Sequence, residues 1–169
     1  AAMTEPLACV CHAVFDLTTI SPTDIVLITG PGPIGLMTMQ VVKAHGATVI
    51  ISGTDADIER LALAKELGAD YTVNSQQEDL PKIVHDLTNG KGVDVALECS
   101  GNQFAINSEL DLIKKRGYLT LIGLGKPTIP FNIEKISYKE LHFSGSLGSR
   151  KASWEQALNL LARGKVKVD

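Results

Sequence analysis

Residues 30–35 read Gly-Pro-Gly-Pro-Ile-Gly, which spaces three glycines as G-x-G-x-x-G. The chemistry this suits is capture of a pyrophosphate by backbone. Gly30 permits a tight turn, and Gly32 lets main chain approach an anion with no Cβ in the way. Gly35 lets the following helix pack closely on the preceding strand. The motif is informative only between a strand and a helix, and both are present. Ile25-Val26-Leu27-Ile28 precede it, and Ile34, Met37, Val41 and Ala44 give a helical face after it. The N-terminus of that helix would turn its free N–H groups and its dipole toward the phosphates. Pro33 has no N–H, which leaves Ile34 as the first backbone donor. These residues point to a dinucleotide.

A dinucleotide site needs an acceptor for the adenosine ribose ~20 residues further on, at the end of the second strand. Counting from Gly35 reaches Asp55, five residues before Arg60 and thirteen before Gly68. Asp55 as ribose ligand would repel a 2′-phosphate and favour NAD over NADP. Gly53 and Thr54 lengthen the turn, however, and leave a second reading open. Gly53 then stands at the strand tip, and Ser52, Thr54 and Arg60 form a small anion site for a 2′-phosphate. A third reading makes Asp55 and Asp57 caps of the next helix, with Ile58 and Leu61 beginning its apolar face.

Other reactive residue types are less promising. Cys9 and Cys11, with His12 beside them, suggest a metal, but on a helix residues two apart point about 200° from one another. They read as packing residues. His45, His85 and His142 have no partners visible in sequence and read as surface or packing residues.

The elements that must position the glycine turn follow from periodicity. Thr48–Ile51, Tyr71–Val73, Val93–Leu97, Tyr118–Ile122 and Leu141–Phe143 are further short, apolar, β-branched runs, as strands covered on both faces should be. Leu80, Ile83, Val84 and Leu87 give one helical face, and Trp154, Ala157, Leu158 and Leu161 another. Gly46, Gly68, Gly90, Gly117 and Gly164 stand where helices should stop. Strand and helix alternate, which predicts an α/β, doubly wound (Rossmann) sheet of six parallel strands in the order 3-2-1-4-5-6. A further helix starts near Thr4 as N-cap, with Pro6 in its first turn and Leu7, Val10, Cys11 and Val14 on one face. The sequence closes within an apparently extended segment, Val166 to Asp169. It therefore reads as one nucleotide-binding domain, residues 1–169, excised from a longer enzyme.

Composition narrows the class. The chain has 169 residues, 44% hydrophobic and 21% charged, with a net charge of −3. That is enough for a real core, and it gives no electrostatic reason to expect nucleic acid or an anionic membrane as partner. No apolar run reaches the ~18 residues of a membrane span. The three cysteines make no disulfide framework, which suits a reducing, cytoplasmic compartment.

Over nearly its whole length the sequence resembles the zinc-dependent medium-chain alcohol dehydrogenases. The resemblance is nearest to the polyol (sorbitol or iditol) and threonine dehydrogenase branch. It is carried by Thr4-Glu5-Pro6-Leu7-Ala8, the turn at 30–35, Leu67-Gly68-Ala69-Asp70, Glu98-Cys99-Ser100-Gly101, and Gly145-Ser146-Leu147-Gly148-Ser149-Arg150. It implies a coenzyme-binding domain for NAD or NADP. In the complete enzyme, zinc would acidify the hydroxyl of a small alcohol or polyol, whose hydride passes to the nicotinamide. By position, Glu5 resembles the glutamate beside that zinc. Its plain alternative is a carboxylate favoured by the helix dipole. Ser100 and Gly101, then Ile122, Gly123 and Leu124, then Ser146 and Leu147 resemble coenzyme contacts at strand ends, although each could be a turn built for geometry. The zinc-ligand domain lies outside this sequence, so the 169 residues alone should be inactive and hold zinc only as part of the full-length enzyme. Relatives commonly form homo-oligomers through the sixth strand. Two alternatives remain: the cofactor domain of a zinc-free quinone reductase, against which Glu5-Pro6-Leu7 argues, and a non-catalytic NAD(H)-sensing module.

Overall fold

Every apolar run of the sequence is a strand, and the strands form one parallel sheet. The computed structural model describes residues 2–126 and 128–168. Helix α1 (Thr4–Cys11) continues into one wider π-type turn, His12–Asp16. Then follow β1 (Ile25–Thr29), α2 (Pro33–Ala44), β2 (Thr48–Gly53), a 3₁₀ turn (Asp55–Asp57) and α3 (Ile58–Glu66). The second half holds β3 (Tyr71–Asn74), α4 (Leu80–Thr88), β4 (Val93–Glu98), α5 (Gln103–Leu112), β5 (Ile113–Leu121), α6 (Glu134–Tyr138), β6 (His142–Gly145) and α7 (Lys151–Ala162). The order is β3-β2-β1-β4-β5-β6, all parallel, as the alternation predicts. Among the described residues no helix is long and apolar enough to cross a membrane.

Alternation along the strands sorts their side chains into two cores. Val26, Ile28, Val49, Ile51, Val95 and Leu97 face α1 and α2, with Leu7, Val10, Met37 and Val41 packed on them. Leu27, Ile50, Val73, Val93, Ala96 and Leu119 face α4 and α5, with Leu80, Val84, Ile106 and Leu110. The crossing of α2 over β1 is very close. A Cβ added to Gly35 would lie 1.9 Å from the carbonyl oxygen of Gly30. Gly30 itself has φ +91° and leaves no room on the side of Ser100, whose Cβ would be 2.8 Å away. Both glycines are therefore required by backbone packing.

Several local expectations are corrected. Met3, not Thr4, is the N-cap of α1, and Thr4 is buried as its first residue. Ala44 is exposed, while α2 buries Met37, Thr38, Met39, Gln40, Val41 and Val42, because the sheet covers one side and α1 the other. The buried face of α7 is Ser153 and Ala157, whose small side chains let α1 approach, and Trp154 and Leu158 are exposed. Ile58 is exposed as well, and Leu61 with Ala64 holds α3 to the core. Gly117 does not end a helix. α5 runs directly into β5, and Gly117 lies inside that strand, after Arg116 at φ 58°. The register slips there, from Val93 opposite Ile113 to Val95 opposite Tyr118.

Overpacking a crossing of this kind costs about 2–3 kcal/mol. Gly35→Ala is therefore expected to lose that much unfolding free energy in urea. A variant as stable as the parent would contradict the crossing described.

Candidate cofactor site

The carboxyl ends of β1, β2, β3 and β4 open on a cavity of about 550 Å³. It lies where the strand order reverses, the place at which doubly wound sheets bind their ligands. Its walls include Thr29, Gly30, Ser52, Gly53, Thr54, Asp57, Ser75, Gln76, Ser100, Asn102, Phe104 and Ser108. Of the residues expected from sequence, Gly30, Ser52, Gly53, Thr54 and Ser100 thus line it.

The N-terminus of α2 stands at the rim. Gly32 precedes Pro33 with ordinary extended backbone (φ −71°) and makes no side-chain cap. A Cβ on Gly32 would meet nothing within 4 Å. The N–H groups of Ile34 and Gly35 donate to no acceptor among the described residues, the first paired amide of the helix being Leu36, 2.8 Å from Gly32 O. Free donors, a positive dipole end and open space combine in an anion cradle.

Beyond β2 the acidic residues diverge. Asp55 accepts from Asn74 Nδ2 at 2.7 Å and Gln77 Nε2 at 3.1 Å, and its own N–H donates to Gln76 Oε1 at 2.8 Å. The bonds from Asn74 and then Gln77 hold its carboxyl below the usual range. It is not among the cavity walls. Asp57 is, and it accepts from Thr54 N at 3.1 Å, Thr54 Oγ at 3.0 Å and Arg60 Nη1 at 3.0 Å. Asp57 thus closes a capping box with Thr54 around the 3₁₀ turn, whereas at the N-cap of α3 its side chain makes no capping bond, which corrects the capping reading.

The ends of β4 and β5 interlock. Glu98, fully buried, accepts from Ser100 N at 2.7 Å, Gly101 N at 2.9 Å and Ser100 Oγ, and its carbonyl accepts from Ile122 N at 2.7 Å and Gly123 N at 2.8 Å. A Cβ on Gly101 would fall 2.5 Å from Leu124 C, and one on Gly123 would fall 2.3 Å from Gly101 N. These two glycines serve close backbone passage. Leu124 and Leu147 are 80% exposed, and Ser146 donates its N–H to Leu121 O at 2.8 Å. Sequence reasoning missed Ser75, Gln76, Asn102 and Phe104 as cavity walls. The rule that sites gather at carboxyl strand ends, applied to β3 and β4, would have found them.

A second buried carboxyl, Glu109 on α5, lies beneath this floor. Its Oε1 accepts from Thr29 Oγ at 2.7 Å, and its Oε2 has no partner among the described residues. Burial, with the charge of Glu98 added, raises its pKa well above the ordinary carboxylate value.

Glu5 is exposed on the first turn of α1, where Cys9 Sγ donates to its Oε1 at 3.2 Å. Burial and then Glu5 push the Cys9 thiol up to about 11, so it stays protonated as that donor. No three His, Cys, Asp or Glu side chains gather into a metal site among the described residues. Cys11 is buried away from Cys9, as helical geometry requires.

Sheet order and glycine turn together define a Rossmann domain. Residues 33–163 match the zinc-binding dehydrogenase family, and the chain belongs to that family. It is 50% identical to sorbitol dehydrogenase from Halalkalibacterium halodurans, across 99% of this chain and 49% of that protein. Identity to D-arabitol-phosphate dehydrogenase from Enterococcus avium is 42%, across 100% of this chain and 48% of the other. The chain thus spans about half the length of these relatives. The alcohol dehydrogenase of Aeropyrum pernix superposes with a TM-score of 0.87 at 30% identity, over 100% of this chain and 48% of that one. A Sinorhizobium meliloti protein assigned as a zinc-binding dehydrogenase, bound to NADP, gives 0.86 at 32% identity, over 99% of this chain and 49% of its own.

Glu109 has a consequence for stability. It holds its proton to higher pH in the folded chain than in the unfolded chain, where it ionises above about pH 4.3. The unfolded state then binds fewer protons, so stability falls as pH rises, until the folded carboxyl ionises too. Glu109→Gln removes that dependence. As pH rises above the ordinary carboxylate range the parent is expected to lose more stability than the variant, read from urea unfolding at each pH. Parallel losses in both proteins would contradict a raised Glu109 carboxyl.

Proposed function

We propose that this chain is the coenzyme-binding half of a zinc-dependent dehydrogenase that moves hydride between a secondary alcohol or polyol and a nicotinamide dinucleotide. The observation that carries the reading is the α2 N-terminus. Gly32 leaves room, and the N–H groups of Ile34 and Gly35 are free, at the point where the strand order reverses. The residues fit the dinucleotide: backbone N–H for the pyrophosphate, polar side chains at the β2 tip for the ribose, and the exposed face of Phe104 beside the cavity. Bound there, the dinucleotide supplies the hydride carrier. The chain's own part is to fix it, with Gly30 and Gly35 setting the turn and Glu98 bracing the loop of Ser100 and Gly101. Ile122, Gly123, Leu124, Ser146 and Leu147 follow β5 and β6, toward which we extend the nicotinamide end.

Zinc does not fit this chain alone. Glu5 offers one carboxylate, where a catalytic site takes about three protein ligands, so we place the metal and the chemistry it supports with residues outside this sequence. Exposed Glu5 still favours the zinc-dependent reading over a zinc-free quinone reductase. We further propose that two copies pair through β6, the outer strand of the sheet, with Phe143 37% exposed on it. The unpaired cysteines suit the cytosol.

Gly32→Ala tests the phosphate site. The new methyl meets nothing in the free protein, so melting should stay within about 1 °C of the parent, a shift well under 0.5 kcal/mol. It would stand where the pyrophosphate approaches, and NADH affinity should fall at least about tenfold, or 1.4 kcal/mol, by calorimetric titration. Unchanged affinity with unchanged melting would remove the phosphates from this turn.

A further inference from the structure

The amino ends of β4 and β5 border a second cavity, of about 380 Å³, at the opposite edge of the sheet from the glycine turn. The six residues of β4, roughly 20 Å of strand, separate the two. Its apolar walls are Val84 on α4 and Leu112 and Ile113, where α5 runs into β5. Four lysines stand around them, Lys91, Lys114, Lys115 and Lys139. The acid on the same wall, Asp111, is paired with Lys135 of α6. A chain of net charge −3 thus gathers four cations about one small cleft. Like charges so placed repel and weaken a compact fold until an anion joins them.

Two of these lysines have structural roles. Lys139 donates from Nζ to the carbonyls of Leu110, Asp111 and Ile113 at 2.7, 2.8 and 2.7 Å, which closes the carboxyl end of α5. Burial lowers its pKa even with Asp111 beside it. Lys114 is paired with Asp94 of β4. Lys91 and Lys115 are exposed and meet no carboxylate among the described residues. The place of Lys115 follows from the irregular start of β5. Residues 114–117 stand opposite Asp94 alone, so the chain bulges there. Arg116 at φ 58° and Glu140 at φ 50° are both left-handed, which is uncommon away from glycine. They are fastened together, with Arg116 Nε donating to Glu140 Oε2 at 2.7 Å and Arg116 N to Lys139 O at 2.7 Å. The bulge that carries Lys115 is therefore held in one shape.

We propose that this cleft binds a phosphoryl dianion, free or borne by a small metabolite, with Lys91 and Lys115 donating to its oxygens in the positive field of Lys114 and Lys139. The site is separate from the coenzyme cavity and does not rest on that reading. A phosphate monoester carries up to about two negative charges and three strong acceptor oxygens, which suits two unpaired ammonium groups better than a monocarboxylate does. The cavity has the size of a small-molecule site. Around it the cations are neutralised in pairs, Lys82 with Asp86, Lys135 with Asp111 and Arg116 with Glu140. The positive field therefore stops at the cleft, which fits one compact anion rather than a nucleic acid or an anionic membrane.

The test titrates the isotope-labelled chain with glycerol 3-phosphate, inorganic phosphate and citrate, at an ionic strength held constant with chloride, and follows amide NMR shifts. Both phosphates should give saturable shifts at Lys91, Gly92, Lys114 and Lys115. Tighter binding of the ester identifies a metabolite as the source, and equal or tighter binding of inorganic phosphate identifies the free ion; either order supports the site. Lys91→Gln and Lys115→Gln should each weaken binding by at least about threefold, and the double variant by at least about tenfold. Lys65→Gln removes an equal charge from α3 and should leave the affinity unchanged. All three lysines are exposed, so melting should stay at the parent value in each variant. Shifts of Ile34 and Gly35 report any phosphate held at the glycine turn, and these should not respond to the loss of Lys91 or Lys115. Cleft shifts that rise linearly without saturating, or parent-like affinity in the double variant, would overturn the proposal. So would citrate binding about tenfold or more tightly than both phosphates, which would make the ligand a polycarboxylate.

Discussion

The passage of α2 across β1 at Gly35 and Gly30 governs the site, because there two backbones touch with no side chain between them. With the space for a Cβ on Gly35 1.9 Å from Gly30 O, the helix axis cannot be moved outward by any larger residue. Its N-terminus therefore arrives at the carboxyl edge of the sheet, between the strands where the order reverses. The donors of Ile34 and Gly35 are left free because Pro33 starts the helix and Gly32 brings no capping side chain. A helix end that is not capped by its own chain is available to an external anion.

The opposite wall is held by hydrogen bonds as well as by close packing. Glu98 gathers three donors from Ser100 and Gly101 on its carboxylate and two more from Ile122 and Gly123 on its carbonyl. One residue thereby fixes the loops after both β4 and β5. The interlocked glycines at 101 and 123 let those loops cross at contact distance. Below them, burial raises the Glu109 carboxyl above its ordinary range, and Thr29 at the cavity floor ties it down. A buried carboxyl with one unpaired oxygen lowers stability at neutral pH, so this floor is less stable than an apolar one would be.

Much of the fold was legible because it obeys backbone rules. The order of the sheet follows from the alternation of strands and helices, and the packing roles of Gly30 and Gly35 follow from what a Cβ would strike. The branch of the family was legible from short runs such as Glu5-Pro6-Leu7. What could not be read depends on rotation rather than spacing. Counting residues leads to Asp55, but a 3₁₀ turn carries Asp57 into the cavity and Asp55 toward Asn74. Spacing gave Trp154, Ala157, Leu158 and Leu161 as one face of α7, yet Trp154 and Leu158 are exposed and close helix approach buries Ser153 beside Ala157. Glu98 and Glu109 look like any surface acids in sequence, and only the sheet above and the helix beside them reveal their burial.

The central proposal is that the N-terminus of α2, shaped by three glycines, receives the pyrophosphate. The most direct measurement is a two-dimensional amide NMR titration of the isotope-labelled chain with NADH. The account predicts saturable shifts of the Gly32, Ile34 and Gly35 amides, larger than those of the lysine-lined cleft around Lys114, Lys115 and Lys139 on another part of the surface. Saturable binding that leaves those three amides unmoved while shifting that cleft would contradict it.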